Sequence, residues 1–81
     1  MLPSMGSWGL QFELQGSDYI VTHLSRMGLA YRYGVQEGDV LLSVNGKDIS
    51  TTEDVLKLDE DSIYELEFMN QDKERMRFIF E

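Results

Sequence analysis

Three short segments of this chain alternate apolar and polar residues. Residues 10–14 read LQFEL and residues 64–68 read YELEF, and in residues 75–80 the apolar Met76, Phe78 and Phe80 alternate with Arg75 and Arg77. A period of two places every apolar side chain on one face of a β-strand. With 81 residues, 42% of them hydrophobic, such strands can enclose one small core and no more. The pattern predicts a single, mainly β domain.

Turn-forming residues connect these strands into hairpins. Residues 15–18, QGSD, separate strand 10–14 from a β-rich run at 19–24. Residues 70–73, NQDK, separate the last two strands, in which Glu and Arg alternate on the polar face. Opposed Glu and Arg side chains favour antiparallel pairing by a few tenths of a kcal/mol for each exposed pair.

The middle of the chain predicts a buried strand between two short helices. A helix over 28–33 ends at Gly34, as glycine commonly ends helices, and the apolar run 40–44 predicts the strand. A Thr-x-x-Asp sequence resembling a capping box predicts the second helix, over 52–58. The expected fold class is therefore α+β, mainly β. It is a small, partly open five-stranded barrel capped by two short helices, with one strand edge near the second helix left unpaired.

The charge balance excludes several classes of partner. Seven basic and 15 acidic residues give a net charge of −8, which counts against nucleic acid and anionic membranes. The densest acidic run, at residues 59–61, predicts a solvated turn or helix end. It does not fit a calcium loop, because Tyr64 stands where the loop requires glycine. No apolar run approaches the ~18 residues that span a bilayer.

The residues needed for catalysis are not grouped in the sequence. His23 is the single histidine, and Ser25 would share its strand face, but nothing supplies a third member of a triad. The chain has no cysteine, and its carboxylates lack metal-ligand spacing. We therefore expect no enzymatic activity, no cofactor and no metal, with His23 a bystander or a ligand contact.

Residues 30–46, AYRYGVQEGDVLLSVNG, closely resemble the signature stretch of PDZ domains. In that family an Ala opens a short helix, Gly-Leu/Val ends it, and Gly-Asp-x-Ile-Leu-x-Val-Asn-Gly forms a buried strand with its turn. The residues also make physical sense: Gly34 and Gly38 suit a positive φ, and Asp39 can tie the turn to neighbouring amides.

Upstream, Ser7-Trp8-Gly9-Leu10 resembles the carboxylate-binding loop of the same family, whose pattern is apolar-Gly-apolar. A register starting at Gly9 would put Gln11 where the family has its second glycine. The resemblance implies a domain over 7–81, preceded by a disordered lead-in or cloning residues at 1–6. A β-branched residue at Gly9 is expected to block a bound carboxylate while sparing the fold.

The order of strands resembles a permuted branch of that family. Seven residues are too few for the strand that precedes the loop in animal domains, while an extra strand, 75–80, follows 64–69. This is similar to the circularly permuted PDZ domains of bacterial and plastid proteases. It implies a larger parent protein, a protease of the periplasm or cell envelope. Thr52 also replaces the His common at that helix start, and the lead-in has no Arg or Lys.

The resemblance implies that the domain binds peptides by β-strand addition. The C-terminal carboxylate of a ligand would rest on the amides of Trp8, Gly9 and Leu10, in a groove between strand 10–14 and helix 52–58. The expected partner is a tail with an apolar last residue and basic residues upstream. Its predicted contacts are Trp8, Gly9, Leu10, Gln11, Phe12, Glu13, Leu14, Thr52, Val55 and Leu56.

The apolar members of this set have a second interpretation, because Leu10, Phe12, Val55 and Leu56 would be core residues in any amphipathic assignment. Trp8 is predicted to line the pocket or to cover the core. Two other functions also stay open. One is a scaffold or oligomerisation domain that takes an internal segment of a neighbour, and the other is a closed groove with a purely structural role.

Overall fold

Six strands and one short helix form the part of the chain, residues 8–49 and 64–80, that a computed structural model describes. The prediction of a mainly β domain is confirmed. The predicted helix over 52–58 lies outside the described residues. No helix within the described residues is long and apolar enough to cross a membrane. Along the chain the elements are β1 (Leu10–Gln15), β2 (Asp18–Leu24), α1 (Leu29–Tyr33), β3 (Val40–Val44), β4 (Lys47–Asp48), β5 (Tyr64–Met69) and β6 (Arg75–Phe80).

The strands form one antiparallel sheet in the order β1-β2-β3-β5-β6. Both predicted hairpins, β1–β2 and β5–β6, are present. The two-residue strand β4 pairs with β3 beside this path and was not predicted, so the count of five strands is one too low for the described residues. A β-bulge interrupts the β1–β2 pairing between Gln11 and Phe12, and another interrupts β3–β5 between Leu41 and Ser43.

An aromatic core joins the two ends of this sheet. Trp8, just before β1, packs against Phe80 at the end of β6, with ring centroids 5.3 Å apart. Phe80 lies 6.2 Å from Phe68, which stacks on Phe12 of β1 at 6.4 Å. All four rings are buried. Edge-to-face and stacked aromatic pairs of this kind stabilise a fold by more than the burial of their surface area alone. Here they connect the two ends of the sheet through side chains.

The helix α1 lies against the last strand. It ends at Gly34, whose φ of 97° and amide bonds to the carbonyls of Ala30 and Tyr31 form a left-handed C-cap, as predicted. Gly28 is the N-cap rather than the first helical residue. The Tyr33 ring stacks on Phe78, with centroids 4.9 Å apart.

The turn before β3 adopts the conformation predicted for it. Gly38 has a φ of 97°, and the buried Asp39 accepts a 2.9 Å hydrogen bond at Oδ2 from the amide of Gln36. The prediction that Asp39 ties this turn to neighbouring amides is confirmed. The turn is also fastened to the β5–β6 hairpin, because Gln71 donates from Nε2 to the carbonyl of Glu37 at 2.9 Å.

Candidate functional site

The loop that enters β1 is anchored through its carbonyl groups. The Trp8 carbonyl accepts a 3.0 Å hydrogen bond from the amide of Ala30 in α1, and the Gly9 carbonyl accepts one of 2.9 Å from Ser25. In a planar trans peptide the N–H points opposite to the C=O of the same unit. The amides of Gly9 and Leu10 therefore point away from α1 and from the loop that precedes it.

Gly9 is required at this point by a close backbone contact. Its φ is +66°, and a Cβ built on it would lie 2.6 Å from the Cα of Gly28. A Cβ on Gly28 would in turn lie 2.6 Å from the Cα of Gly9 and 2.7 Å from the Trp8 carbonyl oxygen. The expectation that a β-branched residue at Gly9 spares the fold is therefore wrong, because its side chain would meet backbone atoms of the protein itself.

The backbone of β1 presents hydrogen-bonding groups on the side away from β2. On the side of β2 that faces away from β1, the amide of Val21 donates to the carbonyl of Asp39 and its carbonyl accepts from the amide of Gly38, both at 2.8 Å. Phe12, paired with Val21, is thus in a non-hydrogen-bonded pair, so its own amide and carbonyl also point away from β2. Leu14, two residues further, has the same orientation.

The side chains of β1 divide between core and solvent. Trp8, Leu10 and Phe12 are at most 3% exposed and belong to the core cluster. Whether they also form the floor of a ligand pocket stays a prediction. Glu13 and Leu14 are exposed and Gln11 is half-buried, so these three are accessible from solvent.

The far side of the predicted groove cannot be compared with the prediction, because Thr52, Val55 and Leu56 lie outside the described residues. The same holds for Ser7, the first residue of the predicted loop. The described half of the site is thus the loop with the adjoining edge of β1.

Two partners of the loop were missed from the sequence. The sequence pattern predicts that Gly28 is a helical residue, and it gives Ser25 a possible role only beside His23. The available signal was the position of Gly28 directly before the helical residues, where glycine is a tolerated N-cap. Its partner Gly9, 19 residues earlier, gives no local hint of the contact.

The described residues hold no constellation that would support catalysis or metal binding. The side chain of His23 is exposed opposite Gln11, and no hydrogen bond joins it to another described residue. No three described His, Asp or Glu side chains are grouped to hold a metal ion. A cleft of about 300 Å³ beside β2 and β3 is lined by Asp18, Asp48 and Glu67 among others, without forming such a group.

The carboxyl group of Asp39 has a shifted pKa. Burial raises its pKa above the usual value of 3.8, and the hydrogen bond from the Gln36 amide partly offsets the rise. Its second oxygen, Oδ1, is buried and has no hydrogen-bond partner among the described residues. Because Asp39 is bonded through Oδ2 to Gln36 in the turn between α1 and β3, we assign this side chain to the fold rather than to the site.

Comparison with known protein families gives a match over the middle of the chain. The family model described as the PDZ domain matches residues 20–61, slightly more than half of the chain. This range includes most of β2 and all of α1, β3 and β4. No curated protein matches the chain significantly.

Proposed function

The chain belongs to the PDZ domain family, and from this membership we propose that it binds a C-terminal peptide as an added strand on the outer edge of β1. Members of the family are peptide- and protein-interaction modules and generally non-catalytic, so the chain is an interaction domain. The finer claim has two parts, the loop that holds the carboxylate and the edge that pairs with the ligand.

The observation that carries the proposal is the direction of the amides in the entry loop. Since the carbonyls of Trp8 and Gly9 are bonded inward, the N–H groups of Gly9 and Leu10 diverge from the protein on one side. Adjacent amides pointing together form an anion-binding nest that needs no basic side chain. A terminal carboxylate is the anion that such a loop would receive at the end of a strand.

The edge of β1 continues from this nest. A ligand that runs antiparallel to β1 would exchange hydrogen bonds with the outward amides and carbonyls of Phe12 and Leu14. Its side chains would then pass Gln11 and Glu13. The resemblance adds Thr52, Val55 and Leu56 as the opposite wall, with Trp8, Leu10 and Phe12 below the last ligand side chain.

We further propose that the domain is the circularly permuted type found in proteases. The support is the place of β6, which pairs antiparallel with β5 at one end of the sheet. In this proposal β6 would take the position of the strand that animal domains place first. A parent protease would use the groove to recruit substrate tails or to gate its active site.

The experiment is a titration of the ¹⁵N-labelled chain with an apolar-ended peptide as the free acid and as the C-terminal amide. We expect the free acid to shift the amide resonances of Gly9, Leu10, Phe12 and Leu14 and to bind at least about tenfold more tightly. Equal affinity of the amide would contradict the carboxylate nest and favour an internal segment as the ligand.

A variant pair tests the pairing edge separately. Leu14→Pro removes an outward amide and is compatible with an edge strand, whereas Leu14→Ala keeps that amide and removes the exposed side chain. Binding should survive in the alanine variant and fall in the proline variant. If the proline variant folds and binds as the parent does, the ligand does not pair with β1.

A further inference from the structure

The last strand of the sheet, β6, also presents backbone groups to its outer side. The amide of Glu65 in β5 donates to Oδ1 of Asn45, and the Glu65 carbonyl accepts from the amide of Asn45, both at 2.8 Å. Its partner in β6 is Ile79, so this is a non-hydrogen-bonded pair and the groups of Ile79 point away from β5. By the same alternation, the amides and carbonyls of Arg77 and Arg75 also point outward.

A side-chain contact supports this orientation. The hydroxyl of Tyr33 donates to the carbonyl oxygen of Ile79. This bond occupies the outer edge of β6 near its C-terminal end. The part of the edge that a partner strand could use is therefore the segment around Arg75 and Arg77. Within the described residues, β6 pairs only with β5.

The outer face of β6 is basic and accessible. The side chains of Arg75 and Arg77 are 68% and 62% exposed, although each lies within 4 Å of the Glu67 carboxylate. Across the sheet, Ser43, Glu67 and Arg77 form one row, in which Ser43 donates to Glu67 and Glu67 pairs with Arg77. The next position in this row, beyond β6, would face an arginine.

We propose that the outer edge of β6 is a second strand-addition site, which takes an extended segment carrying acidic residues at alternate positions. Two carboxylates spaced two residues apart would lie beside Arg75 and Arg77, while the segment's backbone bonds to theirs. Unlike the β1 edge, this site has no amide nest and needs no free C-terminus. If a second copy of β6 paired antiparallel over its full length, the two Arg77 side chains would lie opposite each other. Because like charges repel, this edge favours an acidic partner over a second copy of the chain.

The test uses the full chain and an acetylated, amidated peptide, Thr-Val-Glu-Val-Glu-Val-Thr, with a version in which Lys replaces both Glu. Blocked ends keep the peptide out of the carboxylate nest. We expect the Glu peptide to shift the amides of residues 75–79 and to bind at least about fivefold more tightly than the Lys peptide at low salt. N-methylation of the peptide amides that face β6 should abolish binding without altering the protein.

Charge variants complete the test. Arg77→Glu should reverse the preference between the two peptides, and Lys47→Glu, the same charge change on β4, should not. Three outcomes would overturn the proposal: no shift in β6 with either peptide, shifts confined to β1, or sedimentation showing that the chain pairs with itself through β6. The first and third outcomes do not bear on the carboxylate nest at Gly9, which the free-acid peptide tests independently, whereas shifts confined to β1 would also favour an internal segment at that edge.

Discussion

At the scale of single residues, two glycines at van der Waals contact hold the candidate site in place. Gly9 lies in the loop and Gly28 at the start of α1, and neither has room for a Cβ. The position of the loop amides therefore depends on a contact between two backbones. A sequence motif for the loop contains Gly9 but not its contact partner, Gly28.

The variant Gly28→Ala tests whether glycine is needed at this position for lack of space or for its backbone conformation. The φ of Gly28 is −88°, which alanine adopts freely, but its Cβ would lie 2.6 Å from the Cα of Gly9. We expect a loss of about 1–3 kcal/mol in the free energy of unfolding, as for other overpacked sites.

The control for this variant is Gly16→Ala, where φ is +67° and, apart from the chain neighbours, no atom of the described residues lies within 4 Å of the added Cβ. It should cost about 1 kcal/mol through its left-handed backbone alone. Urea denaturation of both variants measures the difference. A smaller loss for Gly28→Ala than for Gly16→Ala would mean that the loop moves to accept a side chain.

Asp39 gives the stability of the domain a pH dependence of known sign. Because burial raises its pKa in the folded state, the folded chain holds this proton more tightly than the unfolded chain. The contribution is fully present below pH about 3.8 and is lost as the pH rises through the raised pKa.

Asp39→Asn should remove this dependence, since the Asn side-chain oxygen can still accept from Gln36. Relative to the parent, the variant should become more stable as the pH rises from 3.5 to 7, as measured by chemical denaturation. Asp48→Asn, at an exposed position on β4, is the matched control. A constant difference between parent and Asp39→Asn across this range would show that Asp39 does not titrate on unfolding.

At the scale of elements, period-two patterns predicted the strands well where one face is core and the other is wet. Leu66 and Phe68 are buried and Glu67 pairs with Arg77, as the alternation in the C-terminal hairpin implies. For the strand 40–44, the apolar pattern predicted the strand but not its irregular pairing. A bulge at Leu42 turns both Leu41 and Val44 toward core partners and sets Ser43 opposite Glu67. No glycine or proline marks this bulge, so an apolar run could not reveal it.

The missing predictions concern long-range contacts. The strand β4 has two residues and depends on its pairing with β3, because Lys47 and Asp48 carry no strand pattern of their own. The candidate carboxylate loop was predicted from a motif. The inward bonds that orient its amides join Gly9 to Ser25 and Trp8 to Ala30, which lie 16 and 22 residues apart in the chain. Local sequence carries no information about such pairs.

Truncation after Met69 tests the role of β6 as an integral strand. It removes Phe80, which is fully buried and contacts Trp8, Tyr33 and Phe68. Loss of one buried Phe side chain alone costs about 3–5 kcal/mol, a large part of the stability of a small domain. The truncated chain should show no cooperative thermal transition, whereas a chain ending at Phe80 should melt near the parent. An unchanged midpoint would exclude the permuted arrangement.

At the scale of the whole molecule, the net charge of −8 and the position of Glu13 set the expected ligand preference. Glu13 is exposed on β1, beside the path proposed for the ligand, and no basic residue belongs to the entry loop at Trp8–Leu10. The carboxylate end can rest on amides, but the upstream part of the ligand would pass an acidic surface. We therefore expect an apolar last residue with Lys or Arg several positions earlier.

Two peptides that share an apolar free-acid end and differ only in upstream Lys or upstream Glu test this preference. The Lys peptide should bind more tightly at low salt, and the gap should narrow at high salt, because screening limits surface charge to about 8–10 Å at physiological ionic strength. Glu13→Gln should reduce the gap, and Glu74→Gln, an exposed acid before β6, should leave most of it. If the Glu peptide bound as well as the Lys peptide at low salt, the acidic side chains would have to lie away from the ligand, and the path along β1 would be wrong.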